Sequence, residues 1–312
     1  GPNVTYMIYA YNNCTNLTTA ACGPNVTVMN LTYTGCTNLT TAVCGDKVTS
    51  MYESYNGCTN LTTAVCGDNV KSMSDTYYNC TNLTTAVFGP NVNYASSTYS
   101  GCSNLTTAAC GPNLETLRYV YYNCTKLTTA VCGPKVTDMT YTYRNCSNLT
   151  TAVCGTNVTD MDGAYCNCTN LTTAVCGPNV TNMDGAYYNC TNLTTAVCGP
   201  NVTSMSNGWS GWSGGTYEIC PNIQGNSYFL SKNVSSIRRC FSGRNISNML
   251  NIYVYENSKT LNTCLYSNQY SMLGETMTWV NDSSNKRYYC HDANIYIYPV
   301  ANVEQTKIDN GD

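Results

Sequence analysis

Apolar and polar positions alternate along this chain in a pattern that returns every 22 residues, counted from Gly1, Gly23, Gly45, Gly67, Gly89, Gly111, Gly133, Gly155, Gly177 and Gly199. In the second unit the apolar positions are Val26, Met29, Tyr33, Cys36, Leu39, Ala42 and Cys44. A fixed period of this length marks a repeat solenoid, because one unit is too short to bury a core and stacking has to supply it. The run Leu39, Ala42, Cys44 has the spacing of a turn entering a short strand. It predicts Ala42 and Cys44 facing inward and Thr41 and Val43 outward, since strand side chains alternate. Val26 and Met29 predict either a second small strand or a single helical turn before Tyr33.

These residues carry a resemblance. The text VTSMYESYNGCTNLTTAVCG at residues 48–67 is similar to the BspA-like leucine-rich repeats, which read VTSIxxxAFxxCxxLTSIxIP. Met stands for an isoleucine, Tyr for the Phe, and Ala and Cys occupy the strand. The resemblance covers residues 1–220 and implies a leucine-rich-repeat-like stack of parallel β coils with short turns. It also implies a surface-exposed or secreted binding protein of bacteria or protists. The richness in Asn, Tyr and Thr, with the C-terminal text NIYIYPVANVE, further resembles tail or surface proteins of gut bacteria and their phages.

Two regions follow: ten repeats over residues 1–220, and a β-rich cap or degenerate repeats over residues 221–312. Unit ten departs from the pattern. Trp209 replaces the column tyrosine, Trp212 the column cysteine, Gly215 the leucine and Glu218 the strand alanine. A charge at a core position predicts that the regular stack stops there, with the two indoles packed over its end. Beyond it, SYFLS at 227, LNIYVYE at 250, TMTWVN at 276 and NIYIYPV at 294 read as strands. NVSSIRRCF at 233 echoes NVTSM followed by an aromatic, which favours degenerate coils over a separate β domain. Gly1 lies in phase with the repeat. An uncapped first coil exposes strand edges that upstream repeats or a partner would cover.

Charge narrows the partners. Only 10% of the 312 residues are charged and the net charge is -3. Without clustered Lys and Arg to neutralise phosphates, nucleic acid is not an expected partner. No stretch approaches the 18 or so apolar residues of a membrane span.

Of the 22 cysteines, nine form one column from Cys14 to Cys190 and nine a second from Cys22 to Cys220, with Phe88 where the second should have a member. An extended segment between Cys36 and Cys44 separates them by about 25 Å, far beyond a disulfide. Reduced thiols acting as small buried hydrophobes are therefore expected, with bridges between neighbouring coils as the alternative. Cys166, Cys240, Cys264 and Cys290 lie outside the columns. No CxxC spacing occurs, so zinc is not expected. The abundant NxT and NxS triplets read as amide ladders at coil turns rather than as glycan acceptors, which stacking would crowd.

Catalysis needs convergent titratable groups. The chain has one histidine, His291, and no GxSxG, HExxH or GxxxxGK motif. No enzyme activity or cofactor is expected. Asp138, Asp160, Asp162 and Asp184 recur in adjacent coils as oxygen ligands of the kind calcium takes. The repeated MDGAY also reads as a turn with Asp and Gly in favoured roles, and no metal site is assigned.

Two functions remain. The first is a non-enzymatic recognition or adhesion protein, extracellular, on a bacterial surface or virion, binding a cell-surface receptor or glycan. Its candidate contacts are Arg118, Tyr119, Tyr122, Tyr141 and Arg144, on the variable positions between the Val and Cys of each unit, read as surface residues. The second is a structural protein that associates with copies of itself through Thr41, Val43, Thr63, Val65, Thr85, Val87, Thr107 and Thr129, a uniform uncharged stripe.

Overall fold

A computed structural model describes residues 3–206, 215–237, 239–266, 272–273 and 277–309. The chain divides into two units, Gly1–Leu149 and Thr150–Asp312. In the first, every coil hydrogen-bonds to the next with a register of 22 residues: Met29, Leu31, Tyr33 and Gly35 donate their N–H groups to the carbonyls of Ser50, Tyr52, Ser54 and Asn56 at 2.7–3.0 Å. These donors are alternate residues, as in a parallel sheet, and the parallel bridges Val28 to Ser50 and Ser50 to Ser72 lie in this row. Turn bonds interrupt it, because residues such as Leu31 (φ 56°) and Tyr119 (φ 57°) adopt the left-handed conformation. Left-handed backbone costs an L residue roughly 1–2 kcal/mol. Gly35 and Asn79 occupy a second left-handed site four residues later in the coil, where those residue types are least strained.

The expected strand after the leucine is reduced to one bridge per coil, as in Thr19 to Thr41 and Thr41 to Thr63. The reason is a tyrosine. The Tyr55 hydroxyl accepts from the Val43 N–H at 2.9 Å and donates to the Val43 carbonyl at 2.6 Å, so this stretch of backbone is paired by a side chain rather than by a neighbouring strand. Tyr77 does the same for Val65 and Tyr143 for Val131. The predicted register holds at Thr41, which is exposed, and Ala42, which is buried. It fades at Val43 and Cys44, both half-buried, so the second cysteine column is not the buried core column that alternation predicts.

The interior is built of columns. Tyr33, Tyr55, Tyr77, Tyr99, Tyr121 and Tyr143 stack as near-parallel rings 5.3–5.9 Å apart, with the exposed Tyr11 stacked on Tyr33 at the start of the row. Beside them Leu39, Leu61, Leu83, Leu105 and Leu127 are fully buried. Burial of each such side chain stabilises by about 1.5–3 kcal/mol. The first cysteine column completes the wall: the thiols of Cys58, Cys80, Cys102 and Cys124 donate at 3.1 Å to the carbonyls of Tyr33, Tyr55, Tyr77 and Tyr99. Every cysteine carries a free thiol rather than a disulfide. Phe88 fits the second column by packing edge-on against Tyr99 at 5.5 Å.

The second unit repeats this arrangement through Thr151, Thr173 and Thr195 and through Asp160, Asn182, Ser204 and Ser236. Unit ten does not end the stack at Glu218. Tyr217 stacks on Tyr187 at 5.7 Å and on Phe241 at 5.7 Å, and the Cys220 thiol donates to the Tyr187 carbonyl at 3.1 Å. Tyr187 and Tyr217 are 30 residues apart, eight more than the period, so unit ten carries an insertion and Cys220 belongs to the first column, not the second. Glu218 sits in the turn beside the ring, buried, accepting from the Gly215 N–H at 2.7 Å and pairing with Arg239 at 2.5 Å. Trp209 and Trp212 lie outside the described residues.

Past the insertion the ladder becomes a six-stranded sheet. Its strands are β1 (Val197–Cys198), β2 (Gly225–Phe229), β3 (Leu250–Tyr255), β4 (Val280–Asp282), β5 (Arg287–Cys290) and β6 (Ile295–Val300), in the order β1-β2-β3-β6-β5-β4. The first four in that order run parallel, which continues the coil register with longer insertions. β5 and β4 are antiparallel. Leu250, Ile252 and Val254 face inward against Ile295 and Ile297, while Tyr253 and Tyr298 stack outside at 5.1 Å. Val234, Ile237 and Phe241 take the places of a Val, a Met and a Tyr of the repeat, as NVSSIRRCF implies. Two helices were not legible in the strand-like text: α1 (Lys259–Tyr266) and α2 (Val303–Asp309). Ser258 caps α1 by accepting from the Leu261 N–H, and Asn302 caps α2 by accepting from the Gln305 N–H. Arg244 ties the cap together. Its buried guanidinium donates to the carbonyls of Asn245, Asn248, Ala293 and Asn294, and burial lowers its pKa to about 10.

Candidate recognition surface

The five residues singled out for recognition lie on the sixth and seventh coils, and four of them, Tyr119, Tyr122, Tyr141 and Arg144, touch one another. The turn of coil six is held by the Tyr122 N–H on the Tyr119 carbonyl at 3.2 Å, and coil seven is held against it by the Tyr119 N–H on the Thr140 carbonyl at 3.1 Å. The left-handed backbone of Tyr119 and Tyr141 (φ 57° and 53°) sets both rings at the same point of successive coils. Their centroids are 5.1 Å apart, and Tyr122 approaches Tyr119 edge-on at 6.0 Å. The Arg144 guanidinium lies 5.3 Å from the Tyr141 ring centre, a cation–π contact. Arg118 pairs with Asp138 at 3.1 Å, and Asp138 also accepts from the Thr140 N–H at 2.8 Å.

One expectation changes here. Tyr141 is only 4% exposed. It forms the floor of the cluster, between Tyr119 and Arg144, and is not itself a surface contact. Tyr119, Tyr122 and Arg144 are half-buried and Arg118 is exposed, so the accessible patch is an aromatic edge flanked by two guanidinium groups. Asp138 is the partner that sequence reasoning left out of this site. Its position two residues before Thr140, in an Asx turn, was the available signal.

Thr41, Thr63, Thr85, Thr107 and Thr129 are all exposed, one per coil, with Val43, Val65 and Val87 half-buried beside them. The row therefore exists as an uncharged stripe. The aspartates grouped for calcium have other occupations. Asp160 accepts from the Asp162 N–H at 2.9 Å and from the Asn182 amide at 3.1 Å. Asp184 accepts from the Ser204 hydroxyl at 2.5 Å and the Ser206 N–H at 2.7 Å, and burial raises its carboxyl above the ordinary value. Gly163 and Gly185, which follow Asp162 and Asp184, are left-handed at φ 57° and 58°, the turn role that MDGAY allows. Among the described residues no group of three or more His, Cys, Asp or Glu side chains is arranged to hold a metal. His291 is exposed and contacts Tyr289 edge-on at 4.5 Å.

Among the described residues no helix is long and apolar enough to cross a membrane. No curated protein matches the chain. A crystallised leucine-rich repeat protein from Bacteroides ovatus is similar at 11% identity, over 89% of this chain and 88% of its own, with a TM-score of 0.42. The model of the BspA type leucine rich repeat region matches residues 5–128 and 95–209, in six copies. A match over that share of a chain with this 22-residue coil places it in a family: the protein belongs to the BspA-type leucine-rich-repeat family.

Proposed function

We propose that this chain is a non-enzymatic recognition protein, displayed outside the cell on a bacterial surface or virion, whose coil turns bind a cell-surface receptor or glycan. The observation that carries the reading is the connected cluster Tyr119, Tyr122, Tyr141 and Arg144, with Arg118 paired to Asp138 beside it, on two coils held together by backbone bonds. Tyr and Arg supply contact area and planar hydrogen bonding at low entropic cost, and they dominate binding hot spots. Family membership supports a surface-associated scaffold without an active site. Glycan-array and whole-cell binding of the intact chain, compared with Tyr119→Ala and Arg144→Ala, tests this. Hot-spot truncation costs about 2 kcal/mol, so affinity should fall ~30-fold. Equal binding by both folded variants would remove the cluster from consideration.

A second reading rests on the exposed threonine row from Thr41 to Thr129, one uncharged hydroxyl per coil. A row of that regularity suits contact with another copy. Thr107→Lys with Thr129→Lys should then lower the assembly state in sedimentation, and an unchanged state would reject it.

A further inference from the structure

The second cysteine column has no part in recognition, and its geometry is unlike that of the first. First-column thiols such as Cys58 and Cys80 are fully buried, and they donate to tyrosine carbonyls at 3.1 Å. Second-column thiols Cys22, Cys44, Cys66, Cys110 and Cys132 are half-buried, and each lies 3.6–3.7 Å from the carbonyl of the glycine that follows it, a long contact even for sulfur. The glycine at the head of each coil is what makes room for them. A Cβ on Gly45 would lie 2.9 Å from the Cys22 sulfur, on Gly67 3.1 Å from Cys44, and on Gly133 2.6 Å from Cys110. The result is a set of solvent-reachable sulfurs at one rung per coil. Within the first unit Phe88 breaks it into the run Cys22, Cys44, Cys66 and the pair Cys110, Cys132.

We propose that neighbouring thiols of this column bind a soft monovalent d10 cation, Cu(I) or Ag(I), in two-coordinate fashion between successive coils. Soft thiolate ligands select such ions. A metal–sulfur bond of about 2.3 Å gives a collinear bridge of about 4.6 Å, close to the rise of about 4.8 Å between coils joined by parallel bridges such as Thr19 to Thr41 and Thr41 to Thr63, three residues before the cysteines. The same in-register rung is too long for a disulfide, whose Cβ atoms must approach to about 3.8 Å. Among the described residues no third His, Cys, Asp or Glu joins such a pair, which favours two-coordination. Binding is a proton exchange: two thiols release two protons, the cation takes one lone pair from each sulfur, and nothing is oxidised. Burial raises the pKa of Cys44 and Cys110 to about 11, so the cation has to displace both protons and uptake should weaken as pH falls.

The test uses the full chain, reduced and free of oxygen, titrated with Cu(I) supplied as its acetonitrile complex and with Ag(I) as a redox-inert probe. A thiol-to-metal charge-transfer band and an X-ray absorption shell of two sulfurs at about 2.2–2.3 Å are expected. Cys44→Ser leaves Cys22 and Cys66 two rungs apart, about 9.6 Å, beyond any two-bond bridge. It should remove the Cys22–Cys66 run's ion, with at least a 100-fold loss of retention against a competing small thiol. Cys14→Ser, which alters an exposed thiol of the other column, should change nothing. Unaltered retention by folded Cys44→Ser, a shell of one or three sulfurs, or conversion of the column to disulfides under these conditions would each overturn the proposal.

Discussion

The Tyr55 hydroxyl, buried in the core, holds both backbone groups of Val43: it accepts from the N–H at 2.9 Å and donates to the carbonyl at 2.6 Å. One side chain thus does the pairing that a second strand would do elsewhere, and it does so in coil after coil. Because the ring also stacks on Tyr33 and Tyr77, a change that removes only the hydroxyl separates the two roles.

Tyr55→Phe should keep the ring stack yet leave the Val43 N–H and carbonyl without their partner. An unsatisfied buried pair of this kind costs about 1–3 kcal/mol. Chemical denaturation should show that loss, and amide exchange at Val43 should accelerate while the Met29 to Ser50 ladder stays protected. Wild-type stability would mean that water replaces the hydroxyl freely.

The glycine heading each coil is a packing requirement. An alanine Cβ at Gly133 would stand 2.6 Å from the Cys110 sulfur, closer than real Cβ atoms approach. Overpacking costs roughly 1–3 kcal/mol, toward the low end where, as here, the crowded atom is the end of a half-buried side chain. Gly133→Ala should lose that amount, and Cys110→Ala in the same chain should restore most of it. A double-mutant cycle with no coupling would show that the thiol is not what the glycine accommodates.

Much of this was legible in the sequence, and the misses share a cause. The period, the outward Thr41 and the buried Leu39 and Ala42 follow from spacing alone, because ladder register forces equivalent residues into columns. The missing strand at Val43 did not follow. It depends on a hydroxyl 12 residues away that reaches across the coil interior, and a linear pattern does not record that distance. Unit ten departs from the ungapped pattern because Tyr217 and Cys220 keep the column positions only after an eight-residue insertion, which a fixed period does not reveal. In the candidate site, spacing places Tyr119, Tyr122, Tyr141 and Arg144 on the turns of two successive coils, where the rings and the guanidinium meet. Exposure did not follow, since left-handed Tyr141 turns its ring under Arg144.

Asp184 carries a pH signature. Burial raises its carboxyl pKa, partly offset by bonds from Ser204 and Ser206. A carboxylate whose folded pKa lies above its unfolded value binds more protons when folded, so its contribution to stability is fullest at low pH and is lost as pH rises through the folded pKa. Asp184→Asn, which keeps an acceptor oxygen for Ser206, should therefore be more stable than wild type at neutral pH. The advantage should shrink as pH falls below that pKa. An advantage that grows in acid would reverse the assignment.

Arg244 is the cap's central residue, since its guanidinium reaches carbonyls from the turn at Asn245 and Asn248 and from Ala293 and Asn294 just before β6. Among these, the Asn294 carbonyl also accepts from the Leu250 N–H at 3.1 Å, so the arginine steadies the point where β3 meets β6. Arg244→Met fills similar volume but donates nothing. Leaving the buried Ala293 carbonyl without its charged donor should cost about 1–3 kcal/mol, because hydrogen bonds to a charged group are the stronger kind, while the part-buried carbonyls can turn to water. Arg244→Lys should recover only part, as one ammonium cannot span a planar fork of acceptors. Hydrogen exchange resolves where the loss falls: Ile252, Val254 and Ile297 should exchange faster, while the ladder of the first unit from Met29 to Tyr77 is unchanged. If Arg244→Met protects β3 and β6 as well as wild type does, the cap is held by the apolar pairs Leu250 to Ile295 and Ile252 to Ile297 instead.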